Sequence, residues 1–128
     1  ALSDFGRHLG IAFQLVDDAL DYSADSTELG KNVGDDLAEG KPTLPLIYAM
    51  QQGDDAQKAL IRSAIEQGGL EHIDEISRII ESTGALAYTL RQAEEQAEQA
   101  KLAIRLLPET EYKQALMFLA DYAVERRY

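Results

Sequence analysis

Apolar side chains recur every three or four residues through most of this chain, and that spacing constrains the fold more than any other feature. Between 85 and 107 they fall at Leu86, Leu90, Ala93, Ala97, Ala100, Ile104 and Leu107, with Glu94, Glu95, Gln96, Glu98 and Gln99 in between. A helix of about 3.6 residues per turn gathers such a set onto one face, whereas a strand would scatter it over both. The chain opens the same way, with Leu2, Phe5, Leu9, Ala12/Phe13, Val16 and Leu20 predicting a long buried helix that ends near Asp25. Residues 26–40 carry glycines, Asn32 and few apolar side chains, which predicts a loop.

Shorter helices should follow. Thr43 is placed to cap a helix over 44–52, with Pro45 tolerated in its first turn. Ala56, Ala59, Leu60, Ala64 and Ile65 mark the next, which stops at Gly68-Gly69, and Ile73, Ile76 and Ile80 a third, ended by Gly84 in a left-handed cap. Pro108 ends the 85–107 helix. A last helix from about Glu111 carries Tyr112, Ala115, Leu116, Leu119, Tyr122 and Ala123, and Arg126-Arg127 closes it with charge that suits a helix C-terminus. No strand is expected. The fold class is all-α, a helical bundle forming one domain over 1–128.

Charge and composition exclude several functions. Twelve Lys+Arg against 23 Asp+Glu leave a net charge of −11, the wrong sign for binding a nucleic-acid backbone or an anionic membrane. Without cysteine there is no disulfide framework and no thiolate ligand or nucleophile. No apolar run approaches the roughly 20 residues that span a bilayer. A cytoplasmic location is the expectation.

The chemistry concentrates in Gln14, Asp17, Asp18 and Asp21. Residues 17 and 21 are one helical turn apart and 18 lies about 100° round from 17, so three carboxylates fan over one face with Gln14 a turn upstream. Carboxylates this close repel one another, and the arrangement is costly unless it is solvated or holds a cation. Hard oxygen donors of this kind suit magnesium, which bridges one or two carboxylates to substrate phosphates. A bare DDxxD also fits a solvated acidic face. Lys31 and Lys41, each after a glycine, are the only lysines between Asp17 and Asp55, and both could reach a phosphate held by that magnesium; each also fits ordinary loop solvation. His8 and His72 lack companions at ligand spacing and read as surface or satisfied structural histidines. Asp35 and Asp36 read as residues that order the loop, and the tyrosines as core or rim packing.

The stretch from Leu9-Gly10 through Phe13-Gln14 and Asp17-Asp18-Ala19-Leu20-Asp21-Tyr22, then GKNVGDDLAEGKPTLPL from Gly30 to Leu46, resembles the second half of a trans-polyprenyl diphosphate synthase. The GDDLAEGKPTLPL loop looks most like the long-chain, octaprenyl-type members that make quinone side chains. The resemblance implies a prenyltransferase that adds isopentenyl diphosphate to an allylic diphosphate, with Mg2+ as cofactor and a homodimer as assembly. It implies that Asp17, Asp18 and Asp21 form the second aspartate-rich motif and hold the metal, with Asp17 the foremost ligand. It further implies that Gln14, Lys31 and Lys41 contact diphosphate, and that Asp17 and Lys31 carry the catalytic roles.

No counterpart of the family's first aspartate-rich motif or of its isopentenyl diphosphate site is found, so the chain is expected to be a C-terminal fragment that is inactive alone. Stripes left uncovered on the first helix and on the 85–107 helix should make it self-associate. Two other readings stand beside this one. A non-catalytic helical subunit of a prenyl synthase would have no use for the motif and both lysines. A terpene cyclase shares the ionisation chemistry but is less compatible with Lys31, Lys41 and the TLPL stretch.

Overall fold

The computed structural model describes residues 1–22, 41–67 and 72–125, and among these it forms six helices: α1 (Leu2–Leu20), α2 (Leu44–Gln52), α3 (Asp55–Gln67), α4 (Ile73–Ser82), α5 (Ala85–Ile104) and α6 (Glu111–Glu125). The described residues contain no strand. They fall into two compact units, Ala1–Asp17 with Leu90–Arg127, and Asp18–Thr89, so that α1 and α5 each contribute to both. The expected 26–40 loop, Gly68-Gly69 and Arg126-Arg127 lie outside the described residues.

In the unit containing Asp18–Thr89, α2, α3 and α4 pack pairwise on one another. Their core is Leu46, Ala49, Ile61, Ala64, Ile76, Ile79 and Ile80, joined by Tyr22 and Ala85. Aliphatic side chains at helical spacing supply nearly all of it, each fully buried one worth about 1.5–3 kcal/mol. Local hydrogen bonds fix where these helices start. Asp54 and Gln57 exchange bonds, Gln57 N to Asp54 Oδ1 at 2.8 Å and Asp54 N to Gln57 Oε1 at 2.9 Å, a reciprocal cap that starts α3. Gly84 ends α4 at φ +75°, the left-handed cap expected of it, and its carbonyl accepts Tyr88 N at 3.0 Å to open α5.

Thr43 departs from expectation. It occupies the N-cap of α2, but its hydroxyl makes no capping bond, and its Oγ1 is buried without a hydrogen-bond partner. A capping oxygen takes the amide of the second or third helical residue, and the second here is Pro45, which has no N–H.

In the other unit, the first part of α1 packs with the end of α5 and with α6. Phe5, Ala100, Ile104 and Ala120 form one cluster, and Ala12, Ala97 and Ala123 a second. Five alanines at these contacts let the helices approach closely. The stripes expected to be bare on the first and fifth helices are therefore covered at Phe5, Ala12, Ala97, Ala100 and Ile104. Among the described residues, α6 leaves an apolar face uncovered. It buries Lys113, Ala120 and Ala123, with Leu116 and Met117 half-buried, while Tyr112, Phe118, Leu119 and Tyr122 are exposed, which puts the two tyrosines on the rim.

Two helix ends also fall short of their predicted limits. α1 stops at Leu20 rather than near Asp25, closed by a tight bond from Tyr22 N to Ala19 O at 3.2 Å. α5 stops at Ile104 rather than Leu107 and gives way to a turn over 105–107 whose carbonyls take a side-chain donor. Lys113 Nζ reaches back from α6 to Arg105 O at 2.7 Å, Leu107 O at 3.0 Å and Glu109 Oε1 at 2.6 Å.

Candidate functional site

The acidic motif occupies the last turn and a half of α1. Gln14, Asp17, Asp18 and Asp21 stand at i, i+3, i+4 and i+7, which places them on one stripe of the helix and its terminal turn. Burial deepens along that stripe. Gln14 is exposed and Asp17 half-buried, whereas Asp18 is 7% and Asp21 1% exposed. Ala19, Leu20 and Tyr22 are buried too, so this end of α1 is enclosed rather than open. An open acidic face, the plainest reading of a DDxxD, does not describe Asp18 and Asp21.

All four polar residues are engaged by neighbouring groups, as are Lys41 and Tyr22. Lys41 is exposed three residues before α2, and its carbonyl accepts Thr43 N at 3.1 Å. Asp18, Asp21 and Lys41 belong to the same unit. Lys31, Asp35 and Asp36 lie outside the described residues.

The donors fit a magnesium ion in kind: oxygen atoms only, from carboxylates a turn apart, one of them open to solvent. They do not form a finished cage. Among the described residues no group of three or more His, Asp or Glu side chains converges to hold a metal.

The histidines match their structural reading. His8 Nδ1 is 2.7 Å from Gln96 Oε1, and exposed His72 lies 3.5 Å from Glu75. Sequence reasoning did not find the Tyr48–Tyr88 stack, with centroids 4.2 Å apart and planes 10° from parallel. Nothing local signals a pairing between residues so far apart in sequence. Nor did it single out Lys113, whose role depends on where the α5–α6 turn brings three acceptors.

Known proteins share both the sequence and the fold. Over its whole length the chain is 60% identical to octaprenyl diphosphate synthase of Haemophilus influenzae, of which it covers 39%. It is 52% identical to that of Escherichia coli over 98% of its length, again covering 39% of the relative. It therefore spans about two fifths of the curated relatives it matches. A decaprenyl diphosphate synthase from Rhodobacter capsulatus superposes with a TM-score of 0.86 at 40% identity, over 98% of this chain and 39% of that one. A polyprenyl synthase from Caulobacter crescentus, solved with calcium and isoprenyl diphosphate, gives 0.84 at 44% identity over the same shares. These structures identify the helices as part of the isoprenoid synthase fold. The Polyprenyl synthetase profile matches residues 1–83, which include the aspartate motif, and the chain belongs to that family.

Proposed function

We propose that this chain supplies part of the active site of a cytoplasmic, homodimeric trans-prenyltransferase. The enzyme adds isopentenyl diphosphate to an allylic diphosphate and builds an octaprenyl-type product for quinone side chains. In this reading the 128 residues are one portion of a single helical domain. The observation that supports it is the stripe of Gln14, Asp17, Asp18 and Asp21 with its deepening burial. Burying carboxylates is costly, and a chain with 23 acids has ample surface on which to place them.

In the reaction the allylic C–O bond breaks and its electron pair leaves on the diphosphate. The isopentenyl double bond attacks the resulting cation, and loss of a proton restores an alkene. Mg2+, when bound, supplies positive charge against the departing diphosphate. Asp17 would be the foremost metal donor, with Asp18 and Asp21 completing or orienting the set. Lys31 and Lys41 would donate to diphosphate oxygens, their charge counting most as the leaving group develops its own. Gln14, exposed one turn upstream, would orient the same group by hydrogen bonding.

The test is a full-length chimera in which this chain replaces the matched portion of the H. influenzae enzyme. It should elongate a labelled allylic diphosphate in magnesium buffer. An inert, folded chimera beside an active H. influenzae enzyme would overturn the reading.

A further inference from the structure

Viewed down its axis, α6 carries two apolar faces. Leu116, Ala120, Ala123 and their neighbours fill an arc of about 120° toward α1 and α5. Tyr112, Ala115, Phe118, Leu119 and Tyr122 fill a second arc of similar width on the other side. Tyr112 is 83% and Phe118 66% exposed, and Phe118 stacks on Tyr122 with centroids 6.3 Å apart. Gln114, Asp121 and Glu125 share a narrow wedge between the arcs, while Glu111 lies within the outer arc at the first turn and Lys113 within the inner one. A helix apolar over most of its circumference is one that is buried on two sides. At its N-terminal end the outer face runs into an apolar cleft of about 210 Å³ walled by Leu2, Leu107, Pro108, Tyr112 and Leu116. The cleft offers room for a side chain from a partner helix.

We infer that the outer face of α6 is an interface for a helix from the part of the isoprenoid synthase fold that this chain does not match. The inference rests on family membership and not on the proposed reaction. Relatives that superpose on nearly all of this chain carry about three fifths of their residues elsewhere in the same polypeptide, enough to cover a second helix face. A second copy is a poorer occupant. Each copy carries a net charge of −11, and self-pairing would bring two such charges together.

The absence of cysteine makes the test direct. Tyr112→Cys, Leu119→Cys and, as a control on the exposed side of α5, Glu95→Cys are introduced singly into the isolated chain and into the chimera. Labelling by a thiol reagent is then followed peptide by peptide. Positions 112 and 119 should react about tenfold more slowly in the chimera than in the isolated chain, with position 95 unchanged. Equal rates at 112 and 119 overturn the inference. So does an isolated chain that sediments as a stable dimer with both positions already protected. As a second measurement, Leu119→Ser should leave the Tm of the isolated chain unchanged and lower that of the chimera by several degrees. An unchanged chimera Tm overturns the inference independently of the labelling, and neither readout requires prenyl transfer.

Discussion

At the scale of single residues, position along α1 separates roles that the bare DDxxD spelling leaves equal. Asp17 is the half-buried member, reachable by a ligand, whereas Asp18 and Asp21 are packed into the end of the helix. Asp17→Ala in the chimera should therefore lower kcat by two orders of magnitude or more while shifting Tm little, about 3–4 kcal/mol of transition-state stabilisation lost. Steady-state kinetics beside a melting curve measures both, and an unchanged kcat removes the metal role. Asp21→Ala should cost stability as well, because it empties a buried position. Lys31→Ala should lower kcat/KM by a factor corresponding to about 2–4 kcal/mol, the loss of a charge-assisted bond to developing charge. Lys113 is different in kind. At 7% exposure, with its ammonium shared among two carbonyls and Glu109, it is a structural tie that holds the turn between α5 and α6. Lys113→Met keeps the stem and strands the carbonyls, and should destabilise by about 1–3 kcal/mol in denaturant melts without altering the chemistry.

Among the elements, the sequence spelled out those whose signal is local. Gly84 was readable as a left-handed cap because only glycine enters that region without cost, and the structure leaves open space where a Cβ would stand. Gly84→Ala should accordingly cost about 1 kcal/mol through backbone strain alone, seen as a lower Tm with unchanged helicity. The stripes of α1 and α5 were readable by period. The inner face of α6 was not, because period finds a stripe only when the rest of the helix is polar, and here two apolar faces compete. Nor could local reading see that Pro45 deprives Thr43 of a donor or that Lys113 would bind the carbonyls of the turn after α5. One link between α5 and α6 is electrostatic: Lys101 Nζ lies 2.8 Å from both Asp121 Oδ1 and Glu98 Oε1, bonds that raise the lysine above its ordinary value. The raised group binds its proton more tightly when folded. Its contribution is thus whole below pH about 10.5 and fades only as pH climbs past that value, so melts between pH 6 and 9 should be unaffected by Lys101→Met more than by a uniform offset.

For the whole molecule, the legible part of the site is the part written on one helix. Spacing alone puts Gln14, Asp17, Asp18 and Asp21 together, whereas any approach of Lys41 to them would depend on tertiary structure that no periodicity encodes, and Lys31 lies outside the described residues. The deeper limit is stoichiometric. Ionising an allylic diphosphate spreads charge over several phosphate oxygens, and one helix bearing three carboxylates offers at most part of the ligand set; no closed metal cluster exists among the described residues. The relatives place the same sequence within chains about two and a half times as long. The isolated 128 residues should therefore bind Mg2+ only weakly, gain affinity when inorganic diphosphate is added, and elongate no allylic substrate. Calorimetric titration with the metal alone and with diphosphate, beside a radiolabel assay with the chimera as positive control, checks each statement. Tight binding without diphosphate would mean that the carboxylates already make a complete site. Elongation by the isolated chain would mean that one aspartate motif is enough for the chemistry.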